Sequence, residues 1–245
     1  MVEPKVALVT GAGRGIGRAI VDGFAAAGWR VWGGDLVAED GPLVDVTDPA
    51  SVRAFVDQAV AEFGRIDVAV NNAGVVDVAP LLDLDPATWR HVFAVNVEGC
   101  LNVTQAVGRV MLGQELDAGG CRGRIINISS PAAEAPRPLL AAYGASKAAI
   151  NHLSRSAAAA LGPDGVWVTV VYPTNVEDGM WRSLPDDLGT VTGRDRETVI
   201  AERLATAPTG RFETAGEVAG MVRFAATAPG LNGKLIWTEA HVADL

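Results

Sequence analysis

Two kinds of segment alternate along this chain. Short, nearly continuous apolar runs occur at residues 5–10, 30–35, 66–70, 124–128, 166–172 and 234–237. Runs of that length with little polar alternation read as strands buried on both faces. A further short strand is read at Leu43-Val44-Asp45, after a link too short for a full helix. Between the strands, apolar residues recur at helical spacing over residues 18–27, 48–63, 86 to about 112, 143–161 and 217–226. Pro86 suits the first turn of the long third helix. Thr47 or Asp48 is placed to cap the second. Residues 119–123 read as a loop. Residues 173–208 show no strong period and read as a long lid or insertion over a substrate. Strand and helix in alternation predict the α/β class, a doubly wound parallel sheet with helices on both faces, in a single domain spanning residues 1–245.

Composition narrows the partners. The 245 residues are 49% hydrophobic, enough for one sizeable core rather than two. A formal charge of −9 disfavours nucleic acid and anionic membranes as partners. No apolar run reaches membrane-spanning length, and no charged-then-apolar signal opens the chain, so a cytoplasmic protein is expected. The two cysteines, Cys100 and Cys121, are isolated from each other and from any Cys/His cluster. They read as reduced thiols, and no metal site is expected.

Two motifs carry chemistry. Thr10-Gly11-Ala12-Gly13-Arg14-Gly15-Ile16-Gly17 joins the first strand to the first helix. Strand, glycine turn and helix make a setting in which main-chain N–H groups and a helix N-terminus hold a pyrophosphate. The spacing is T-G-x-x-x-G-x-G, with Ile16 where the third glycine of the dinucleotide fingerprint G-x-G-x-x-G would fall. Tyr143-Gly144-Ala145-Ser146-Lys147 places a phenol and an ammonium one helical turn apart. A nearby cation favours phenolate, so Lys147 is expected to lower the Tyr143 pKa and make it a general acid/base. Asp35 ends the second strand, 18 residues after Gly17. A carboxylate there accepts hydrogen bonds from a ribose 2′-hydroxyl and repels a 2′-phosphate, which predicts NAD rather than NADP. Arg14 points mildly the other way, or is a solvated loop residue. Asp45 is placed either to contact adenine or to cap a turn.

These residues together resemble the short-chain dehydrogenases/reductases. The glycine motif, Asn71-Asn72-Ala73-Gly74, Asn96, Ser130 and Tyr143-x-x-x-Lys147 stand in that family's order over essentially the whole chain. The resemblance implies a Rossmann fold and hydride transfer between a secondary alcohol or ketone and a nicotinamide cofactor. It implies that Tyr143 is the acid/base, that Lys147 lowers its pKa and holds the nicotinamide ribose, and that Ser130 bonds the substrate oxygen. Asn96 is implied to sit at a break in its helix and hold a proton-relaying water. Asn72, Ala73 and Gly74 are implied to line the adenosine side. Val46, Pro173 and Val176 complete the expected cofactor contacts, with Gly11, Gly15, Ile16 and Gly17 at the phosphates.

The chain also departs from the family pattern. Thr174 replaces the usual glycine after Pro173, and Asp178 stands where a threonine usually meets the nicotinamide carboxamide. The segment 111–124 is long, and Glu239-Ala240-His241 replace a common Asp-Gly-Gly, so the expected assembly is a homodimer or a homotetramer. The substrate pocket is read from Pro131, Ala132, Leu139, Leu140, Val176, Met180 and Trp181, which suits a small or medium secondary alcohol. Met180-Trp181 resembles acetoin, butanediol and polyol dehydrogenases. Pro136-Arg137 resembles dihydrodiol dehydrogenases, and Arg137 would bind a carboxylate if it reached the pocket. Two other readings remain: a 3-oxoacyl thioester reductase, and an NAD-binding sensor without turnover.

Overall fold

The computed structural model describes residues 3–37, 41–177, 179–207 and 209–238. The strands are β1 (Val6–Thr10), β2 (Arg30–Gly34), β3 (Val68–Asn71), β4 (Gly123–Ile128), β5 (Val166–Tyr172) and β6 (Leu235–Trp237). They form one parallel sheet in the order β2-β1-β3-β4-β5-β6. The helices are α1 (Gly15–Ala26), α2 (Pro49–Phe63), α3 (Pro86–Phe93), α4 (Gly99–Leu112), α5 (Ala141–Leu161), α6 (Leu184–Thr192), α7 (Arg196–Leu204) and α8 (Ala215–Thr227).

Why the strands are apolar throughout is visible in the core. Successive strand side chains point to opposite faces, and here both faces are covered. Leu8, Ala69 and Ile125 pack against α2 and α4 residues such as Phe55 and Val103. Their neighbours Val9, Val70 and Ile126 pack against Ile20 and Phe24 of α1 and Val218 and Val222 of α8. Strand order reverses beside β1, which has β2 on one side and β3 on the other. At such a switch point the loops leaving the two strands diverge and open a crevice at their carboxyl ends. The glycine loop after β1 and Asn71-Asn72-Ala73-Gly74 after β3 are the loops in question.

Three elements differ from expectation. The strand read at Leu43-Val44-Asp45 is a single bridge between Asp35 and Leu43. The long helix read at 86–112 is not continuous: a π turn, Ala94–Glu98, interrupts it with Asn96 at its centre, where the resemblance implied a break. The segment without visible period contains α6 and α7. Each is only 9 residues long, too short for a period to stand out. Asp48 caps α2, accepting from the Ala50 N–H at 2.8 Å. No described helix is long and apolar enough to cross a membrane.

Candidate active site

A cleft of about 1150 Å³ opens at the switch point. Every cofactor-contact residue named above lines it, from Gly11, Arg14, Gly15, Ile16 and Gly17 through Asp35, Asp45 and Val46 to Pro173 and Val176. Ser130, Ala132, Leu140, Tyr143, Lys147 and Met180 line it too. Leu139 does not: it packs against the small cluster of Leu140, Leu184, Leu188 and Val199 beside the cleft. Arg137, which the sequence left as a surface residue or a pocket residue, lines the cleft. The side chain of Trp181 and the residues Asp178, Glu239, Ala240 and His241 lie outside the described residues.

The phosphate end is built from main chain. Gly11 and Gly15 have φ of 64° and 54°, a region that favours glycine. A Cβ at Gly17 would lie 1.9 Å from the Gly11 carbonyl oxygen, so the first turn of α1 presses directly onto the loop. Asn72 locks this arrangement from β3, its Nδ2 donating to the carbonyls of Thr10 (3.1 Å) and Gly11 (3.0 Å). Thr10 Oγ1 accepts in return from the N–H groups of Asn72 and Ala73. Asp35 Oδ2 accepts from the Gly13 N–H at 2.9 Å, and Oδ1 from Leu36 N–H at 2.7 Å. The second strand therefore fixes the loop and sets a carboxylate at the adenosine end. Asp45 has the turn role: its Oδ1 accepts from the N–H and hydroxyl of Thr47. Arg14 is exposed. This glycine cradle beside a carboxylate fits a dinucleotide.

The chemical end is built on α5. Lys147 is 4% exposed, and its Nζ donates to the Ile128 carbonyl at 2.9 Å and lies 5.5 Å from the Tyr143 ring centre. Ser130 follows β4 and caps a single 3₁₀ turn, Pro131–Ala133, accepting from the Ala132 N–H. Its side chain lines the cleft beside Tyr143 and is close enough to influence the phenol. The adjacent Ser129 is buried and donates to Asn151 Oδ1 at 2.7 Å, so of the two serines it is Ser130 that meets the tyrosine. Burial raises the Tyr143 pKa, and the neighbouring Ser130 side chain works against that rise. Burial and Ser130 are the two influences on Tyr143, and Lys147 is subject to burial as well. Burial pushes the Lys147 ammonium down to about 8, with Cys100 acting in the opposite sense. The Cys100 thiol is pushed up to about 11 by the same burial.

Asn96 lies behind the cleft wall rather than on it. Its Oδ1 accepts from Val75 N–H at 2.8 Å, and its Nδ2 donates to Val75 O and Ser146 Oγ, both at 2.9 Å. The π turn carries this side chain into the space between the β3 loop and α5. Gly74 is there as well: a Cβ would lie 3.2 Å from Asn96 Oδ1 and 3.7 Å from both Lys147 Nζ and Met180 Cε.

Two site residues escaped the sequence reading. Gly144 sits inside a helix, where glycine costs about 1 kcal/mol relative to alanine. A Cβ there would lie 2.8 Å from the Ala132 carbonyl, so its absence lets the Ser130 turn approach α5. The misplaced glycine was a readable signal. Glu213 is the other, 6% exposed just before α8. Its Oε2 accepts from the Thr174 N–H (3.0 Å) and the Thr238 hydroxyl (2.7 Å), and its backbone bridges Val176. It moors the segment after β5, and nothing in its local sequence distinguishes it from a surface glutamate.

Comparison with known proteins agrees with this geometry. A model of the short chain dehydrogenase family matches residues 40–189. A sorbitol dehydrogenase of Cereibacter sphaeroides is 34% identical, the match covering 92% of this chain and 91% of that protein. A 3-oxoacyl-[acyl-carrier-protein] reductase of Escherichia coli is also 34% identical, covering 92% and 91%. The crystal structure of an NAD⁺-bound xylitol dehydrogenase superposes with a TM-score of 0.87 at 30% identity, covering 95% of this chain and 96% of that one. The chain is an oxidoreductase acting on CH–OH, and it belongs to the short-chain dehydrogenase family.

Proposed function

We propose that the enzyme uses NAD in preference to NADP and that Tyr143 is the proton donor and acceptor for a secondary alcohol and its ketone. The observation that carries this reading is that Ser130, Tyr143 and buried Lys147 line the same end of the cleft. Two hydroxyls converging there offer two donors to one substrate oxygen, which stabilises oxyanion character as the carbonyl is reduced. In oxidation, Tyr143 as phenolate takes the alcohol proton while Ser130 holds the oxygen. The bound nicotinamide supplies the hydride acceptor or donor. Lys147 holds the nicotinamide ribose and returns the proton to solvent. The Asn96 side chain is committed to Val75 and Ser146. It therefore positions the β3 loop against α5, and any relay past it uses main chain.

NAD is favoured by the Asp35 carboxylate, whose charge opposes a 2′-phosphate. Relatives of equal identity include a polyol dehydrogenase and an acyl reductase, so the choice of substrate rests on the cleft. Leu140, Val176 and Met180 supply an apolar wall there, and we read the segment after β5, from which Pro173, Met180 and Leu184 line the cleft, as its lid. The enzyme is read as a cytoplasmic homodimer or homotetramer.

The test is reduced-cofactor formation from secondary alcohols, diols, polyols and cyclic dihydrodiols, with NAD and NADP in parallel. An NAD-linked signal is expected. NADP as the better cofactor would reject the reading of Asp35, and cofactor binding without turnover of any alcohol would favour a sensor.

A further inference from the structure

Where β4 and β5 end, a second contact closes behind Ser130. The two strands run side by side to their last ladder bond, from the Ser129 N–H to the Val171 carbonyl at 2.9 Å. Past it they part. β4 leads into the Ser130 turn, and β5 into Pro173, which lines the cleft. The turn is three residues of 3₁₀ helix, whose hydrogen bonds are poorer than those of an α-helix. Tyr172, the last residue of β5, reaches back to it, its hydroxyl donating to Glu134 Oε1 at 3.0 Å. Glu134 is the residue that ends the turn, and it is exposed. Tyr172 is fully buried, and its surroundings fix it. Its ring stacks on Trp237 of β6 at 4.7 Å and 11°, and its carbonyl accepts from the N–H and the hydroxyl of Thr238, both at 3.1 Å. A buried hydroxyl without an acceptor is costly, so the phenol holds the carboxylate in place. Burial, and then the Glu134 bond, raise the Tyr172 pKa, so the hydroxyl keeps its proton for this bond.

What this contact governs is the direction of one proton. A serine hydroxyl has one proton to donate and two lone pairs that accept. Ser130 Oγ accepts from the Ala132 N–H at 3.2 Å inside the turn, which leaves its proton for an oxygen in the cleft. That direction follows the position of the turn, and the turn is clamped from two sides. The Ala132 carbonyl lies against Gly144 of α5, and Glu134 is tied to Tyr172 of β5. We propose that Glu134 and Tyr172 are a pair of positioning residues that fix the Ser130 turn and so aim the Ser130 hydroxyl at the substrate oxygen. This rests on the reading of Ser130 as a substrate contact and adds to it two residues, neither of which lines the cleft.

Two readouts separate the pair from the role of Ser130. The first is hydrogen exchange of the main-chain amides of residues 132–135, measured by mass spectrometry on the protein without substrate. Glu134→Ala, and Tyr172→Phe, which keeps the ring and its stack on Trp237, should each speed exchange there by about tenfold. Glu134→Gln keeps an oxygen acceptor and should stay near wild type. The second is turnover of 2,3-butanediol with NAD. Glu134→Ala and Tyr172→Phe should each lower kcat by about tenfold with NADH affinity unchanged, since a misplaced group is felt in the chemical step. In a Ser130→Ala background the same substitutions should change kcat by less than about twofold, because the group they aim is gone. Unchanged exchange in both variants overturns the proposal, as does an unchanged kcat. An equal loss of kcat with and without Ser130 overturns it too, and so does a Glu134→Gln variant as impaired as Glu134→Ala. Faster exchange with no alcohol turned over supports the hold on the turn and removes the reading of Ser130 as a substrate contact.

Discussion

The two walls of the cleft are made of different material. On the cofactor side, the loop after β1 is held by main-chain and amide bonds from β3 and by a carboxylate from the end of β2. Its contacts reach into a sheet buried on both faces. On the substrate side, α6 and α7 rest on a small cluster of Leu140, Leu184, Leu188 and Val199. Their ion pairs, Arg196–Asp186 and Arg194–Glu202, are largely exposed. Exposed pairs contribute about 0–1 kcal/mol. One wall is a rigid cradle for a ligand common to many enzymes. The other is a light structure in which side chains can change without disturbing the sheet. Tyr143 and Ser130 stand where the walls meet.

Breaking that junction should have the largest effect. Tyr143→Phe is expected to reduce kcat by about 10²- to 10⁴-fold, the usual weight of a general acid/base. NADH affinity, measured by fluorescence, should change far less, because the cradle is made elsewhere. Strong residual turnover would detach the chemistry from Tyr143. On the cofactor wall, Asp35→Ala should reduce the NAD-over-NADP preference by about tenfold or more. It also removes the Gly13 and Leu36 contacts, so NAD affinity should weaken too. An unchanged ratio of kcat/KM for the two cofactors would show that the carboxylate only holds the loop.

Glu213 tests whether the light wall has a stiff mooring. Both of its side-chain bonds fall on one oxygen, so glutamine can reproduce them and alanine cannot. Glu213→Ala removes an acceptor from the part-buried Thr174 N–H and leaves the Thr238 hydroxyl only the Tyr172 carbonyl, a cost of about 1 kcal/mol. It should lower Tm and raise the alcohol KM, whereas Glu213→Gln should stay near wild type. Identical behaviour of the two variants would assign the effect to charge rather than to mooring.

The same contrast explains what was legible in the chain. A wall built from main chain leaves glycines and asparagines at fixed spacing. Gly11, Gly17, Asn72 and Asp35 could therefore be placed on one site before any coordinates. Buried strands leave unbroken apolar runs, so the sheet was legible too. The π turn at Asn96 was not, since its residues have ordinary helical character and the resemblance alone suggested a break. Nor were α6 and α7, whose short amphipathic faces pack on a local cluster rather than on the sheet. Glu213 acts through partners distant in sequence.

The smallest predicted effect concerns the cost of the junction itself. The ordinary lysine value is 10.5, and burial brings Lys147 to about 8. Between those values the unfolded chain binds more protons than the folded one at this site, so stability contributed there rises with pH. Below the folded value the full cost of burying the ammonium is carried. A shift of this size corresponds to about 3 kcal/mol, part of which the bond to the Ile128 carbonyl already offsets. Lys147→Met removes both the cost and the bond. At neutral pH the variant without cofactor should be more stable by about 1 kcal/mol, a Tm gain of about 2–4 °C. The gain should fade as pH climbs toward 10.5. Thermal melts of both proteins across that range read the difference directly. A variant less stable than wild type at neutral pH would mean that Lys147 is held by favourable contacts, and that the junction carries no strain for catalysis to exploit.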